Sequence, residues 1–194
     1  MRVDAVQSTR IQIPSELFAT AESSTYSGSL DAGQFQAGPD DYYFAQPLEW
    51  NVTISNTGDA FLVTGSITGQ GTTACGRCLD DVEVSVKGEV EGYFLLEPPE
   101  EDDDSTDEAD YEVLGDDHII DLEPLLYAAL VMDLPLTPLC REDCAGLCSD
   151  CGANLNNEQC DCAEKRQQAN DDFEAAKNPF AVLRELDLSN PKDL

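Results

Sequence analysis

The chain contains 194 residues, with 40 acidic and 10 basic side chains, so its formal net charge is −30 at pH 7. A chain of this length can bury one hydrophobic core and carry a small metal-stabilised appendage. The acidic excess argues against sequence-independent binding of nucleic acid, which needs lysine and arginine to neutralise phosphates, and it favours attraction of a basic protein.

The amino-terminal residues MRVDAVQSTR contain no apolar run typical of a signal peptide. No stretch reaches the roughly 18 apolar residues that a membrane helix needs. The longest apolar patch, residues 122–136, is interrupted by two acidic residues and two prolines. We therefore expect a soluble, cytoplasmic protein without a membrane-spanning segment, in a compartment where thiols stay reduced.

Strands dominate the first half of the predicted fold. Residues 1–18 predict one or two short strands, whereas residues 19–41, rich in Ser, Thr, Ala and Gly, predict a loop or linker. From residue 48 onward, apolar and polar residues alternate, which is typical of half-buried strands. The alternating positions are Leu48, Trp50, Val52 and Ile54, then Phe61, Val63, Gly65 and Ile67, and then Val82, Val84, Val86 and Val90.

Turn residues at 56–59 separate the first two of these runs, so we predict a β-hairpin there. The third run completes an antiparallel sheet of three or four strands. We expect Trp50 and Phe61 to lie in the core and not on a platform that stacks nucleic-acid bases.

An acidic segment follows the sheet at about residues 97–117, which include twelve acidic residues and no lysine or arginine. Such a block repels itself, so we predict a disordered, solvated loop. Solubility alone, or adaptation to high salt, would also account for the charge. The only histidine, His118, lies at the end of this segment, and we interpret it as a surface or boundary residue and not as a metal ligand.

A helix is predicted after the acidic segment, with Asp121 as its cap and Pro124 in its first turn. One helical face is apolar, and it carries Leu122, Leu125, Leu126, Ala129 and Leu130. Packing of this face on the sheet gives an α+β domain over residues 1–136, which includes the acidic loop.

The remaining residues, 137–194, are predicted to form a cysteine-rich module with carboxy-terminal helices. Residues 163–177 favour a helix, and Asn178 followed by Pro179 favours a last short one. The module holds six cysteines, Cys140, Cys144, Cys148, Cys151, Cys160 and Cys162. Cys148 and Cys151, followed by a glycine, have the spacing of a zinc knuckle, a tight turn that directs two sulfurs at one ion.

The remaining two cysteines form a second Cys-x-x-Cys pair far upstream, at Cys75 and Cys78. In a reducing compartment such pairs indicate metal more often than disulfides, and zinc suits the knuckle spacing better than an iron–sulfur cluster. We therefore hypothesise one or two zinc ions. One would be held by Cys148, Cys151, Cys160 and Cys162, and a second by Cys75, Cys78, Cys140 and Cys144.

The Cys75–Cys78 pair also allows a different interpretation, a thiol-redox enzyme or sensor. In such proteins the first cysteine lies at a helix N-terminus, which lowers the thiol pKa. Here a strand pattern follows the pair, so that effect is missing.

Basic side chains near the metal modules are the candidate contacts to RNA or to a partner protein. They are Arg77, Lys87, Arg141, Lys165 and Arg166. Arg77 between two cysteines has a second interpretation, as a counter-charge for metal-bound thiolates. The sequence contains no phosphate-cradling glycine loop, no His-containing open zinc site and no Ser/His/Asp arrangement, so we expect no enzyme activity.

Several of these pieces occur together in one order. They are Cys75-Gly-Arg-Cys78-Leu79 between strands, Asp121-Leu122 at the start of a helix, Leu134-Pro135 and Pro138-Leu139-Cys140, Gly146-Leu147-Cys148 through Cys151-Gly152-Ala153-Asn154-Leu155-Asn156, and Asn178-Pro179-Phe180-Ala181-Val182-Leu183. Over residues 48–186 the chain resembles the YceD-like family of large ribosomal RNA subunit accumulation proteins.

The resemblance implies a non-catalytic factor that supports accumulation of 23S rRNA and assembly of the large ribosomal subunit. It implies a large-subunit precursor as partner and, because the gene commonly neighbours that of a small basic ribosomal protein, such a protein as a second partner. Cys75 and Cys78 correspond to the family's Cys-x-x-Cys, and the resemblance carries over no catalytic residue.

Overall fold

The computed structural model describes residues 3–5, 8–98 and 112–177. The centre of the predicted acidic loop and the predicted last helix at Asn178 lie outside these residues. The chain divides into two compact units, the first formed by Met1–Cys75 and Asp80–Cys140 and the second by Gly76–Leu79 and Arg141–Leu194. The sequence-based division at residue 136 stays a prediction.

Strands make up most of the first unit. They are β1 Val3–Ala5, β2 Arg10–Gln12, β3 Ser23–Leu30, β4 Gln34–Ala37, β5 Asp40–Tyr43, β6 Leu48–Asn56, β7 Ala60–Ala74, β8 Asp81–Leu95, β9 Glu112–Val113 and β10 Ile119–Asp121. A short 3-10 helix spans Ser15–Phe18, α1 spans Glu123–Asp133, and α2 spans Cys162–Lys177 in the second unit.

The predicted hairpin and the predicted strand after the first cysteine pair are both confirmed. β6 and β7 pair antiparallel, with Trp50 opposite Ile67. β7 and β8 pair antiparallel along their full lengths, from Ala60 opposite Leu95 to Ala74 opposite Asp81. The antiparallel sheet with its helices confirms the predicted α+β class.

Two expectations about the sheet are wrong. It has eight strands in the described part of the chain and not three or four. Residues 19–41 were expected to be a loop, yet they contain β3, β4 and the start of β5. The reason is that a strand needs apolar residues only on its buried face. In β3, Tyr26 and Leu30 are buried, and serines occupy more exposed positions along the strand.

The prediction of a loop throughout residues 97–117 is also wrong at its carboxy-terminal end. Glu112–Val113 pair in parallel with Phe94 and Leu95 at the end of β8. The backbone N–H of Leu114 then donates to the Leu95 carbonyl at 2.8 Å. His118 is exposed, as the sequence indicates.

The core of the first unit lies between the sheet and α1. Trp50 and Phe61 are 3% and 0% exposed, which confirms them as core residues. The predicted apolar face of α1 is mostly buried and packs on β7 and β8. The Asp121 carboxylate accepts a hydrogen bond from the Glu123 N–H at 3.0 Å, so it acts at the helix start as predicted, although Leu122 is the residue in the cap position.

Helix α1 approaches β8 very closely. A Cβ atom added at Gly88 would lie 2.4 Å from the carbonyl oxygen of Ala129. Only glycine fits there without displacement of the helix.

Candidate metal centres

The turn that joins β7 to β8 carries the first cysteine pair. The backbone N–H of Cys75 donates to the Asp80 carbonyl at 2.8 Å and closes the base of the turn. Leu79 takes a positive φ of 63°, which lets the chain reverse into β8. Cys78 leads into a strand, and no helix among the described residues begins at this pair, unlike the usual setting of a dithiol redox site.

Arg77 is the main link between this turn and the rest of the second unit. Its guanidinium donates to the carbonyl oxygen of Cys144 at 3.0 Å and to that of Glu142 at 3.4 Å. Its own carbonyl accepts the N–H of Leu147 at 3.0 Å. A Cβ at Gly146 would lie 3.0 Å from this carbonyl, and the φ of Gly146 is +73°, so the position requires glycine. These contacts give Arg77 a structural role.

Residues 148–151 form the predicted knuckle turn. The Cys148 N–H donates to the Ala153 carbonyl at 2.8 Å, and the Gly152 N–H donates to the Cys148 carbonyl at 2.9 Å. Gly152 has a φ of +75° with no atom within 4 Å of an added Cβ, so backbone conformation and not crowding selects glycine here. The turn therefore directs Cys148 and Cys151 to one side.

Helix α2, which confirms the helix predicted for residues 163–177, begins at Cys162 and positions the last cysteine pair. The guanidinium of Arg166 on this helix donates to the hydroxyl of Ser149 at 2.9 Å and contacts the carboxylate of Asp150. One side chain thus joins the helix that carries Cys162 to the turn that carries Cys148.

Two groups of four cysteines could each hold a metal ion. They are Cys75, Cys78, Cys140 and Cys144, and Cys148, Cys151, Cys160 and Cys162. In each group all four sulfur atoms lie within 4.8 Å of one another. A tetrahedral zinc site with Zn–S distances of about 2.3 Å places its sulfurs about 3.8 Å apart, so the spacing fits such an ion. The groups are the ligand sets hypothesised from the sequence, and the identity of the metal is a proposal taken up below.

The ionisation of the second group is uneven. Hydrogen bonds from the backbone N–H groups of Cys151 and Asp150 lower the pKa of Cys148 to about 6. The pKa of Cys162 is raised to about 12. The main cause is the hydrogen bond with the thiol of Cys151, and the second cause is burial. Adjacent thiolates repel one another, so four of them ionise together only when a cation neutralises them. The chemistry of the donor set therefore fits a metal cation.

Asn156 supports the cysteines, and sequence reasoning did not identify it as a functional residue. Its side-chain amide donates to the sulfur of Cys144 at 3.3 Å. Its side-chain oxygen accepts the Ala145 N–H at 2.8 Å and the Arg141 guanidinium at 2.6 Å. Asn154 holds it in turn, by accepting the Asn156 backbone N–H at 3.1 Å. Two asparagines just past a glycine are typical of a turn, but their spacing does not indicate the contact with Cys144.

The five candidate basic contacts differ in their surroundings. Arg77, Arg141 and Arg166 all contact protein groups within the second unit. Lys165 is exposed on α2. Lys87 lies on β8 in the first unit, where its backbone N–H donates to Asp133 at 2.6 Å and its side chain is exposed. Contact with RNA by these residues stays a prediction.

Comparison with known proteins gives one family. The family model described as "Large ribosomal RNA subunit accumulation protein YceD" matches residues 63–187, more than half of the chain and a range that includes all eight cysteines. No solved structure matches the chain. Within the described residues, no helix is both long and apolar enough to span a membrane.

Curated relatives extend this result. An uncharacterized protein of Mycobacterium tuberculosis is 33% identical over 111 residues, which cover 57% of this chain and 53% of the relative. An uncharacterized protein of Mycobacterium leprae is 32% identical over 109 residues, covering 56% and 49%. The chloroplastic YCED homolog 1 of Arabidopsis thaliana, whose name is also large ribosomal RNA subunit accumulation protein, is 24% identical over 169 residues, covering 75% and 51%. The chain spans about half the length of the curated relatives it matches.

Proposed function

This chain belongs to the YceD family of large ribosomal RNA subunit accumulation proteins, and we propose that it is a non-catalytic factor that supports 23S rRNA accumulation and assembly of the large ribosomal subunit. The observation that carries this proposal is the family match over residues 63–187. The name of the Arabidopsis relative supports the same role. In this proposal the protein acts in the cytoplasm on a large-subunit precursor.

We further propose that each group of four cysteines holds one structural zinc ion. Four thiolates complete a tetrahedral zinc site and leave no open position for a substrate, which is typical of structural and not catalytic zinc. The only histidine, His118, belongs to neither group. Because a structural ion couples metal binding to folding, loss of zinc would unfold the region around the cysteines.

The acidic surface would serve to hold a small basic ribosomal protein before that protein reaches RNA. The net charge of −30 favours a basic protein partner over direct binding to phosphates. Exposed glutamates on β6 and β8 contribute to this charge in the first unit, among them Glu49, Glu83, Glu89 and Glu91. Direct contact with RNA through the basic residues of the cysteine-rich region is the competing mechanism.

The experiment that tests the proposed function is removal of the gene, followed by measurement of the ratio of 23S to 16S rRNA. We expect the ratio to fall and the intact chain to restore it. A chain with Cys148→Ser and Cys151→Ser should fail to restore it, whereas the exposed-strand variant Ser85→Ala should succeed. An unchanged ratio after gene removal would overturn the proposal.

A further inference from the structure

Strand β8 has an open outer edge. It pairs with β7 along its whole length and with β9 at Phe94 and Leu95, and no other described strand pairs with it. In an antiparallel ladder, alternate residues direct their backbone N–H and C=O groups toward opposite neighbours. On β8 the odd-numbered residues face outward, because the Lys87 N–H donates to Asp133 at 2.6 Å and the Leu95 carbonyl accepts from Leu114 at 2.8 Å.

Glu89 and Glu91 lie between these two contacts and have the same parity. Their backbone N–H and C=O groups therefore face out of the sheet, and no described residue hydrogen bonds to those groups. Such an unpaired edge is a template for an additional strand. Asp133 closes one end of the open segment and β9 closes the other.

A groove of about 480 Å³ runs along this open segment between β8 and α1. Lys87, Glu89 and Glu91 line its β8 side, and Asp133 lies at the end beside Lys87, so three carboxylates outweigh one ammonium group. Leu125, Ala128 and Met132, spaced i, i+3 and i+7 on α1, give the other side an apolar stripe. The Met132 side chain is 85% exposed, which is unusual for a large apolar residue.

We propose that this groove binds an extended segment of a basic protein, which adds to β8 as a further strand. The inference rests on the proposed function in one respect, since it gives the basic partner of that proposal a binding site. It also specifies the partner sequence, namely apolar residues alternating with lysine or arginine.

The alternation follows from the geometry of the sheet. Successive side chains of an added strand point to opposite faces. On one face they would lie beside the exposed carboxylates of Glu89 and Glu91, which favours lysine or arginine. On the other face they would lie against Leu125, Ala128 and Met132, which favours apolar residues.

The charge of the groove also decides against a second copy of this chain. Addition of one β8 edge to another with Glu89 opposite Glu89 or Glu91 would oppose like charges, which destabilises a strand pair. The register that sets Lys87 opposite Glu89 would need the Lys87 N–H, which already donates to Asp133. A basic segment removes this repulsion. It is therefore the occupant that the groove fits best.

The test uses the full chain and a synthetic ten-residue peptide in which lysine alternates with valine. Calorimetry should detect binding, and hydrogen exchange should show that the amides of Glu89 and Glu91 become protected in the complex. A control peptide of the same sequence, N-methylated at its four central amides, keeps its charge but cannot pair as a strand. The N-methylated peptide should bind at least about tenfold more weakly than the parent peptide, because several backbone hydrogen bonds are lost.

Protein variants separate the groove from the general acidity of the chain. The double variant Glu89→Gln with Glu91→Gln should weaken peptide binding by about threefold to tenfold, which corresponds to two partly exposed ion pairs. The matched double variant Glu16→Gln with Glu22→Gln, at two exposed glutamates outside β6 and β8, changes the net charge equally and should bind like the parent. Equal weakening by both pairs would overturn the inference.

Three other outcomes would also overturn it. They are equal binding of the N-methylated peptide, binding without protection of the two amides, and self-association of the chain with protection of those amides in the absence of peptide. The 23S to 16S ratio is measured separately. If gene removal lowers this ratio but the peptide does not bind, the binding groove is rejected and the proposed function is not.

Discussion

The guanidinium of Arg166 donates a hydrogen bond to the hydroxyl of Ser149 at 2.9 Å. This contact connects helix α2 to the turn at residues 148–151, so one side chain orients both halves of a four-cysteine group. Residues that orient metal ligands from outside the ligand shell typically change metal affinity by about 10- to 100-fold when they are replaced. From the sequence, Arg166 is a candidate contact to RNA or to a partner, and in the structure it also links the two halves of this cysteine group.

Substitution of Arg166 therefore separates the structural role from an RNA contact. We expect Arg166→Ala to weaken zinc binding by the second group by about tenfold or more, because the turn and the helix lose their link. The neighbouring Lys165→Ala removes the same charge from an exposed side chain and should leave zinc affinity unchanged. Competition with a chromogenic chelator measures both affinities, and equal losses in the two variants would contradict the structural role.

Thiol reactivity tests metal binding by the cysteines. With zinc bound, we expect all eight thiols to react slowly with iodoacetamide, and we expect fast reaction after treatment with a strong chelator. Native mass spectrometry of the untreated protein should show two zinc ions. Fast alkylation of the untreated protein, or a mass without metal, would contradict the zinc hypothesis.

Replacement of Cys75 by serine distinguishes a structural zinc site from a redox site. Cys75 is fully buried. If it is a zinc ligand, Cys75→Ser should release one ion and lower the free energy of unfolding, since metal binding contributes to folding. If it is a redox cysteine, the variant should keep its zinc content and its stability but lose reversible oxidation. Metal analysis and denaturant unfolding of the variant decide between these results.

Gly88 provides a test of the packing between α1 and β8. We expect Gly88→Ala to reduce the free energy of unfolding of the first unit by about 1–3 kcal/mol, because the new Cβ would displace α1 from its contact at Ala129. Ser85→Ala, on the exposed face of the same strand, is the control and should change stability by less than about 0.5 kcal/mol. Denaturant unfolding measures both, and a Gly88→Ala variant as stable as the control would contradict the packing.

The elements that could be predicted from the sequence are those in which buried apolar residues recur at regular intervals. The alternation around Trp50 and Phe61 gave the hairpin, and the spacing of Leu122, Leu126 and Leu130 gave α1 with its buried face. The cysteine groups could be hypothesised because loop length alone limits which sulfurs can meet.

What escaped prediction depends on partners distant in sequence. β3 has a composition typical of loops, and it becomes a strand because β6 offers it a complete antiparallel ladder, with Thr25 opposite Thr53. The support of Cys144 by Asn156 depends on side-chain geometry that spacing does not encode. The open edge of β8 is a consequence of topology, which composition does not specify.

The proposed function requires that this chain associate with the assembling large subunit. The most direct measurement is sedimentation of a cell lysate through a density gradient, with detection of this protein in each fraction and a parallel sample treated with RNase. We expect the protein to migrate with large-subunit precursors and to move to the top of the gradient after RNase treatment. If it stays at the top in untreated lysate, with precursors present in lower fractions, the claim is contradicted.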